Sequence, residues 1–386
     1  MAAQPLTVSG ATVNVTIGQT VTVTLNGKTY TATTSADGSW SLSIPSADLL
    51  QLQDGTAVIH ASVANQNDDP VTAQRNLDLH INNLPQPSIE APFGDNVLNS
   101  AEAATSQTVI GKTGVSGSGQ GVVITLNGKT YQATVDAQGN WRADLPAADL
   151  QVLSAGPQPL RVTATDVAGN SSEVSSTVTV DLVPPTLTLK PITLDGIINH
   201  AENQSDQVIS GNASLTEAGR SVLVTFNGKQ YSATVQADGS WNVTVQSADL
   251  RAMGDGTYTY SATVSDTAGN STTASGQVTL DANIANLPVL TVNAVTGNNI
   301  IDGSEIKAAQ ILSGSSLNLE AGQTVTVILN GKTYLTTVDN QGHWQVNVPA
   351  TDLAQLAQGQ HTLEVSTQDK SGNPSETTHT FDVNTA

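Results

Sequence analysis

Acidic residues recur in this chain at two fixed distances from a tryptophan. An aspartate or asparagine stands 25 positions after each of the four tryptophans, and an aspartate or histidine stands about 40 positions after it. The first set is Asn65, Asp166, Asp266 and Asp369, and the second set is His80, Asp181, Asp281 and Asp382. Carboxylate and amide oxygens are the ligands that hard divalent cations prefer. The spacing therefore raises the hypothesis of repeated cation sites.

A third set of polar residues follows the second set along the chain. It has the pattern Asp/Asn-x-x-x-Asn/Asp-x-x-Glu and occurs as Asp95, Asn99 and Glu102, as Asp195, Asn199 and Glu202, and as Asn298, Asp302 and Glu305. If the three sets meet where one repeat joins the next, each later junction holds four carboxylates. These are Asp166, Asp181, Asp195 and Glu202 at one junction, and Asp266, Asp281, Asp302 and Glu305 at the other. With Asn199 and Asn298 added, such a spread-out oxygen set suits Ca²⁺ better than Mg²⁺.

Electrostatics gives a reason for a cation at such a junction. Two carboxylates about 5 Å apart repel by roughly 3 kcal/mol at an effective dielectric near 20, and a divalent cation relieves that repulsion. At the first junction Asn65 and His80 replace two acids and only Asp95 and Glu102 remain, so the hypothesis is weaker there. The alternative is that these acids are solvated turn and cap residues, which Asp and Asn favour in any protein.

A repeated motif gives the chain its organisation. The motif Asn-Gly-Lys-(Thr/Gln)-Tyr occurs four times, and a lone tryptophan follows each copy at intervals of 101, 100 and 103 residues. The tyrosines are Tyr30, Tyr131, Tyr231 and Tyr334, and the tryptophans are Trp40, Trp141, Trp241 and Trp344. Units of about 100 residues can each bury a core. We predict four domains at residues 1–82, 83–183, 184–283 and 284–386.

Each unit carries the pattern of half-buried strands. Apolar residues alternate with polar ones in residues 20–25, 122–126, 222–226 and 324–329, and each run leads into Asn-Gly, the strongest short hairpin signal. A single helical turn is expected at residues 47–49, 148–150, 248–250 and 351–353. Seven or so short strands per unit predict an all-β fold, a tandem array of four immunoglobulin-like antiparallel β-sandwiches. The four tryptophans and four motif tyrosines are expected in the cores.

Composition narrows the class of protein. With 33 acidic against 13 basic residues and a net charge of -20, the chain repels nucleic acid and anionic membrane surfaces. It has no cysteine, so disulfides and thiolate metal sites are excluded. No apolar run approaches the 18 or so residues of a membrane span. We expect a secreted monomer that binds no nucleic acid and does not insert into membranes.

Catalysis finds little support in the sequence. The histidines fall at unrelated places in the repeat and are expected to be exposed; they are His60, His80, His200, His343, His361 and His379. No repeated nucleophile or acid-base constellation follows from them. Aromatic residues make up only 3% of the chain, so stacking platforms for sugars are scarce. The protein is predicted not to be an enzyme.

Four motifs in fixed order carry a resemblance to a known family. They are the strand-hairpin of residues 18–30, Asp-Gly-Ser-Trp at residues 37–40, Thr-Asp-x-Ala-Gly-Asn at residues 165–170, and Val-Asp-x-x-Pro-Pro at residues 180–185. The chain resembles the bacterial immunoglobulin-like repeats of giant adhesins exported by type I secretion, such as the Bap-type biofilm proteins. The resemblance implies a rod-like stalk at the bacterial cell surface that projects a binding tip for cell adhesion or biofilm formation, with calcium between consecutive domains making the rod rigid.

Two functions from different classes stay open. In one, the segment is a stalk whose partners are the neighbouring repeats of the same chain. In the other, the domains themselves bind a host-cell glycan or protein. The near-uniform repeats favour the stalk. Repeat one starts at residues 6–10, aligned with residues 208–211, and lacks the acidic opening segment of the other repeats. We therefore expect the sequence to be an internal fragment of a longer protein.

Overall fold

The structure is a computed structural model that describes residues 4–386. It divides into two compact units, Met1–Val183 and Pro184–Ala386. The first unit contains the predicted repeats one and two, and the second contains repeats three and four. Among residues 4–386, no helix has the length and apolar character needed to cross a membrane.

Repeat one consists of two small sheets. Its elements are β1 (Leu6–Ala11), β2 (Thr20–Leu25), β3 (Lys28–Thr33), β4 (Ser39–Ile44), α1 (Ser46–Leu49), β5 (Gly55–Ala64) and β6 (Pro70–Leu79). Strand β1 pairs with β4, and the other sheet has the order β3-β2-β5-β6. In both sheets the pairing is antiparallel.

Repeat two adds an opening segment to this plan. Its elements are β7 (Ser88–Ile89), a 3-10 turn (Pro92–Gly94), β8 (Val97–Leu98), α2 (Ser100–Ala103), β9 (Gln107–Lys112), β10 (Gly121–Leu126), β11 (Lys129–Gln132), β12 (Thr134–Val135), β13 (Asn140–Leu145), α3 (Ala147–Leu150), β14 (Gly156–Thr165) and β15 (Ser171–Val180). The sheet orders are β12-β13-β9-β7 and β11-β10-β14-β15-β8. The opening segment therefore supplies an edge strand to each sheet.

Repeat three has the same arrangement. Its elements are β16 (Leu187–Leu189), β17 (Ile197–Asn199), α4 (His200–Asn203), β18 (Gln207–Ala213), a 3-10 turn (Leu215–Glu217), β19 (Ser221–Phe226), β20 (Lys229–Thr234), β21 (Ser240–Val245), α5 (Ser247–Arg251), β22 (Gly256–Ser265) and β23 (Ser271–Asp281). The sheet orders are β16-β18-β21 and β17-β23-β22-β19-β20. Strand β17 pairs with β23 in parallel.

Repeat four is the last repeat of the described residues. Its strands and helix are β24 (Val289–Val292), β25 (Ile300–Asp302), β26 (Gln310–Leu317), β27 (Thr324–Leu329), β28 (Lys332–Thr337), β29 (His343–Val348), α6 (Ala350–Leu353), β30 (Gly359–Gln368) and β31 (Pro374–Asn384), with 3-10 turns at Ile284–Asn286, Val295–Gly297 and Glu305–Lys307. The sheet orders are β24-β26-β29 and β25-β31-β30-β27-β28. The predicted all-β class is confirmed.

Local sequence explains the hairpins. In β2 the apolar residues alternate with threonines, and alternate positions are buried, because successive side chains of a strand point to opposite faces of the sheet. At the following turn Asn26 has φ 48° and Gly27 has φ 74°, the positive values that a type I′ turn requires at both central residues. The other three Asn-Gly pairs also have positive φ. The predicted hairpins and short helical turns are confirmed.

Each repeat has a core of its own. The buried apolar clusters of repeats two, three and four each surround one tryptophan, and each draws its residues from a single repeat. Trp141, Trp241 and Trp344 are each only 1% exposed. Repeat one differs, because its core is split into two small clusters and Trp40 is only half-buried. Trp40 packs against the core of repeat one as predicted, but it is only partly buried there.

The motif tyrosines lie at the edge of the cores and anchor the short helices. The hydroxyl of Tyr131 donates to the Asp149 carboxylate at 3.0 Å, and Lys129 forms an ion pair with the same carboxylate. The other three repeats have the same Lys-Tyr-Asp cluster. Asp149 lies in α3, so the cluster ties this helical turn to the Asn-Gly hairpin.

Candidate functional site

In repeats two and three, the two acids that follow the tryptophan lie at opposite ends of one hairpin. In repeat three, β22 and β23 pair from Ser265↔Ser271 at the turn to Gly256↔Leu280 at the far end. Asp266 lies in the turn, and Asp281 is the last residue of β23. Ten residues of strand at about 3.3 Å each place them roughly 30 Å apart. The prediction that Asp266 and Asp281 share one junction is therefore wrong.

Repeat two has the same geometry. Strands β14 and β15 pair from Thr165↔Ser171 to Gly156↔Val180. Asp166 lies at the turn of this hairpin and Asp181 lies just beyond its other end. The prediction that groups Asp166 with Asp181 is wrong for the same reason. Asp166 and Asp181 can each lie at a junction, but the two residues cannot lie at the same junction.

The exit acid instead lies beside the opening segment of its own repeat. The parallel pairing of β17 with β23 places Asp281 opposite Asn199. Asn199 and Glu202 form a capping box, in which Glu202 N donates to Asn199 Oδ1 and Asn199 N donates to Glu202 Oε2, each at 3.0 Å. In repeat two, Asp181 N donates to Leu98 O at 3.0 Å, and an equivalent capping box follows.

Asp302 and Glu305 also lie away from Asp281, because the opening segment of repeat four pairs with the end of its own last strand. Asp302 pairs with Asn384 at the end of the last strand of repeat four, and Glu305 Oε2 accepts from Asp302 N at 3.0 Å. That end of the β30–β31 hairpin is about ten residues from the turn that contains Asp369. The opening acids of a repeat therefore lie beside its own exit, and the prediction that placed them at the exit of the preceding repeat is wrong for Asp302 and Glu305.

The first residue of each opening pattern orders its own turn. Asp195 Oδ1 accepts from Ile197 N at 3.0 Å, and Asn298 Oδ1 accepts from Ile300 N at 2.9 Å. Both bonds are local Asx-type contacts, which agree with the alternative that these are turn residues. Whether any of the ten predicted ligands binds a metal stays a prediction.

Within the second unit, the turn of repeat four contacts the exit of repeat three. Ser371 Oγ donates to Asp281 Oδ2 at 2.5 Å, and Asn373 Nδ2 donates to Asp281 O at 3.1 Å. Asn373 Oδ1 accepts from His200 N at 2.7 Å. These three bonds define the junction site: the exit residue Asp281, the capping turn that begins at Asn199, and the 369–373 turn of the next repeat.

The aspartate of that turn holds the turn in shape. Asp369 accepts from Ser371 N, Asn373 N and Asn373 Nδ2 at 2.9, 2.8 and 2.9 Å. Asp166 and Asp266 make the corresponding bonds in repeats two and three. Although burial raises the pKa of Asp166, the hydrogen bonds from Asn170 hold that pKa below its ordinary value. The turn geometry is therefore the same in repeats two, three and four, and each turn presents the asparagine that stands four residues after its aspartate.

Within the first unit, repeat two reaches back to repeat one in the same way. Asn170 Nδ2 donates to the main-chain carbonyl of His80 at 2.8 Å. The acceptor is the main chain, so this contact does not need an acid at position 80. The first junction keeps the amide contact although its exit residue is a histidine.

The junction site of repeats three and four has oxygen donors of the type that Ca²⁺ prefers. Asp281 and Glu202 supply carboxylates and Asn199 supplies an amide oxygen, all hard ligands. Within residues 4–386, however, no group of three or more His, Cys, Asp or Glu side chains is arranged to hold a metal. The chemistry of the donors fits calcium, and the remaining ligands would have to be amide, hydroxyl or main-chain oxygens.

Two acids that the sequence reasoning missed hold the linkers. Asp255 Oδ1 accepts from Ala282 N and Asn283 N at 2.8 and 3.0 Å, and Asp255 Oδ2 accepts from Asn286 Nδ2 at 2.7 Å. Asp54 accepts from the main-chain N–H groups of residues 81–83 in repeat one. The equivalent positions, 14 residues after the tryptophan, are Ala155 and Gln358 in repeats two and four. Because the residue type at this position differs between repeats, the sequence contains no repeated signal for an acid that holds the linker.

Three of the six histidines depart from their predicted exposure. His200 is half-buried, its Nδ1 lies 2.9 Å from Ala282 O, and its main-chain N–H donates across the junction. His361 and His379 are half-buried as well, whereas His60, His80 and His343 are exposed as predicted.

Comparisons with known proteins place the chain in a family. Residues 94–182, 195–282 and 314–385 match the model of the bacterial Ig-like domain. A search of curated proteins finds no match. Among solved structures, the chain is 32% identical to a Ca²⁺-stabilised adhesin with which an Antarctic bacterium reaches out and binds ice, over 100% of this chain and 95% of that one, with a TM-score of 0.38.

Two further solved structures are similar in sequence. One concerns host cell surface retention of a 1.5-MDa bacterial ice-binding adhesin, at 32% identity over 78% of this chain and 98% of that chain, with a TM-score of 0.36. The other is a tetra-tandem repeat in the extending region of a large adhesion protein, at 25% identity over 98% of this chain and 96% of that chain, with a TM-score of 0.37. The predicted tandem immunoglobulin-like repeats are confirmed, and the chain belongs to the bacterial Ig-like domain family.

Proposed function

We propose that this chain is an extracellular stalk segment of a bacterial surface adhesin, built from four domains at residues 1–82, 83–183, 184–283 and 284–386. Its role is to project a binding tip for cell adhesion or biofilm formation. Family membership and the similarity to the extending region of a large adhesion protein support this proposal. The observation that carries it is the contact at the junction site, where Ser371 and Asn373 bond to Asp281.

That contact suits a connection that resists bending better than it suits a flexible linker. Asn373 is 1% exposed and Ser371 is 8% exposed, so the turn of repeat four is buried where it meets repeat three. Buried hydrogen bonds are costly to break because the freed groups lose their partners away from water. A joint of this kind restricts bending between the two repeats, which is what a stalk requires.

We further propose that Ca²⁺ binds at the junctions and makes them rigid. At the junction of repeats three and four the ligands would be Asp281, Glu202 and Asn199, with oxygens from the 369–373 turn completing the set. Asp166, Asp266 and Asp369 would order their turns. The Ca²⁺-stabilised adhesin that is 32% identical to this chain supports the choice of metal. A bound cation would offset the charge of Asp281 and Glu202 and cross-link the two repeats.

Calcium binding is tested on the full chain by calorimetric titration and thermal unfolding, each with Ca²⁺ and with EDTA. We expect Ca²⁺ to raise the unfolding temperature, because a ligand at a hundred times its dissociation constant stabilises the folded state by about 2.7 kcal/mol per site. Asp281→Asn should lose one bound ion per chain. Small-angle scattering should then give a larger maximum dimension with Ca²⁺ than with EDTA.

Asp238→Asn is the matched control. Asp238 is an exposed aspartate of the same repeat, and its carboxylate bonds only within its own turn, to Ser240. This variant should keep the calcium stoichiometry of the unmodified chain. Identical unfolding and scattering with Ca²⁺ and with EDTA would remove the calcium proposal and leave the acids as turn and cap residues.

A further inference from the structure

The last strand of repeat three is paired along only part of its outer edge. Strand β23 runs from Ser271 to Asp281, and β22 pairs with one side of it over its full length. On the other side, β17 pairs only with residues 279–281. Among residues 4–386, no strand pairs with that side of residues 271–278. This part of β23 is therefore an open strand edge.

The neighbouring hydrogen bonds show which main-chain groups face the open edge. Thr279 N donates to Gly196 O at 2.9 Å, so the N–H of Thr279 points away from β22. Because the main-chain groups of an antiparallel strand alternate in direction from residue to residue, those of Ser271, Thr273 and Ser275 point the same way. Within residues 4–386 they take part in no main-chain hydrogen bond. The edge presents a row of N–H and C=O groups that a further strand could pair with.

Repeats two and four have the same open edge but carry residues that oppose strand pairing there. The opening strands β8 and β25 cover only the ends of β15 and β31. At the place of Thr273, 32 positions after the tryptophan, these repeats have the exposed residues Glu173 and Glu376. Strand β31 also begins with Pro374, which has no N–H to donate. Charges and proline on an edge strand protect it from pairing with another chain.

Repeat three lacks both kinds of protection. Residues 271–280 of β23 read Ser-Thr-Thr-Ala-Ser-Gly-Gln-Val-Thr-Leu and include no charged residue and no proline. Threonine is enriched in strands because its branched side chain suits a pleated surface. Of the last strands of repeats two, three and four, β23 is therefore the one whose open edge is best suited to pair with another strand.

We propose that two copies of this chain pair with each other through β23 of repeat three. The two strands run antiparallel about a two-fold axis at Thr273, so that Thr273 lies opposite its own copy and Ser271 lies opposite Ser275 of the second copy. A two-fold interface uses the same patch on both copies, and in this register the open main-chain groups of each strand meet those of the other. This pairing goes beyond the stalk role, and it differs from the monomer that the sequence led us to expect.

The residue on the two-fold axis favours a second copy over an unrelated polypeptide. In the same register, β15 would place Glu173 opposite its own copy and β31 would do the same with Glu376, and like charges directly opposite each other destabilise a sheet. Thr273 opposite Thr273 is instead a stabilising cross-strand pair. An unrelated strand could place a basic residue opposite the glutamate, so one acid would not exclude it. The acids of repeats two and four oppose self-pairing in particular, and repeat three has no such acid.

Sedimentation equilibrium of the full chain tests the pairing, in EDTA so that the result does not depend on the calcium proposal. We expect a monomer–dimer equilibrium between about 10 µM and about 1 mM chain, because a small interface binds weakly. Each copy has a net charge of -20, so added salt should strengthen the dimer by screening the repulsion between copies. At high chain concentration, amide hydrogen exchange should slow at Ser271, Thr273 and Ser275.

Two substitutions at the axis test the register. Thr273→Glu and Thr273→Lys should each remove the dimer, because like charges then lie opposite each other. An equimolar mixture of the two variants should form a heterodimer, in which the opposite charges attract. Both should stay folded, because Thr273 is exposed. Gln230→Glu is the matched control, since Gln230 is an exposed residue of β20, at the opposite edge of the same sheet, and this variant should dimerise like the unmodified chain.

Three results would overturn the inference. The first is a chain that stays monomeric up to about 1 mM at both low and high salt, a concentration at which even a weak strand interaction is detected. The second is a dimer that Thr273→Glu does not dissociate, since another surface would then form it. The third is a mixture of the two Thr273 variants that forms no heterodimer although each variant keeps the unfolding temperature of the unmodified chain.

Discussion

The hydroxyl of Ser371 donates a 2.5 Å hydrogen bond to the Asp281 carboxylate, and so links the turn of repeat four to the last strand residue of repeat three. Ser371 is 8% exposed, so water has little access to this bond. The bond joins the hairpin turn of one domain to the strand exit of the preceding one. It defines which ends of the two domains meet.

Ser371→Ala should loosen this junction without unfolding either repeat. Hydrogen bonds to a charged group contribute about 1.5–3 kcal/mol, and the variant should lose a comparable free energy of docking. Amide exchange at residues 281–283 should become faster. Ser315→Ala is the control, because Ser315 bonds to Thr291 inside repeat four. Ser315→Ala should leave exchange at residues 281–283 unchanged, and the same result for Ser371→Ala would mean that the Ser371 bond has no mechanical role.

The repeats and their hairpins could be predicted from the sequence because their signals are local. The Asn-Gly pairs impose positive φ at the turn, and alternation of Val and Thr in residues 20–25 sets which face is buried. Trp241 could be placed in the core because one large aromatic per repeat is what a small sandwich needs. The partial exposure of Trp40 could not be predicted in this way, because the burial of a tryptophan also depends on which strands pack beside it, as β16 does beside Gly211 and Trp241 in repeat three.

The grouping of acids at the junctions was wrong because spacing along the chain does not say which end of a domain a residue occupies. Asp266 and Asp281 are 15 residues apart with a turn directly after Asp266, so a long hairpin separates them. The length of that hairpin could be read from the sequence, and it indicates that the two acids lie far apart. The linker role of Asp255 had no such signal, because Ala155 and Gln358 replace it in two repeats.

Asp255→Ala should release the linker between repeats three and four. The variant removes the acceptor of two main-chain N–H groups and of the Asn286 side chain. Amide exchange at Ala282 and Asn283 should become faster, while exchange in β19 should not change. Asp54→Ala provides the parallel case in repeat one, where residues 81–83 should respond. Unchanged exchange in both linkers would show that these acids do not hold them.

The motif tyrosines should lose their phenolic protons at a higher pH than an unperturbed tyrosine. Burial and the hydrogen bond to Asp149 raise the pKa of Tyr131 to about 12 from an ordinary 10.0. The raised pKa means that the neutral phenol is favoured in the folded state. Its stabilising contribution is complete below pH 10 and is lost as the pH rises through about 12. Absorbance titration of tyrosinate should show this. Asp149→Asn should lower the pKa of Tyr131, and an unshifted titration would contradict the role of the cluster.

The Asp partner of each cluster gives the opposite pH dependence. The hydrogen bonds from Lys129 and Tyr131 hold the pKa of Asp149 below its ordinary value of 3.8. A lowered folded-state pKa contributes stability above pH 3.8 that is lost as the pH falls through the folded value. Acid unfolding of Lys129→Met should therefore begin at a higher pH than that of the unmodified chain. Lys112→Met, at an exposed lysine of the same repeat, is the control, and equal acid midpoints would argue against the ion pair.

Removal of a tryptophan should affect one repeat only, and by an amount that depends on its burial. Trp241 is 1% exposed within the core of repeat three, and Trp241→Ala should cost that repeat about 3–5 kcal/mol, the usual range for a large buried aromatic. Trp40→Ala should cost repeat one less, because Trp40 is already half-exposed. Denaturant unfolding followed by amide exchange would resolve the repeats. Because each core draws on a single repeat, loss of all four repeats together in the Trp241 variant would mean that the domains do not fold independently.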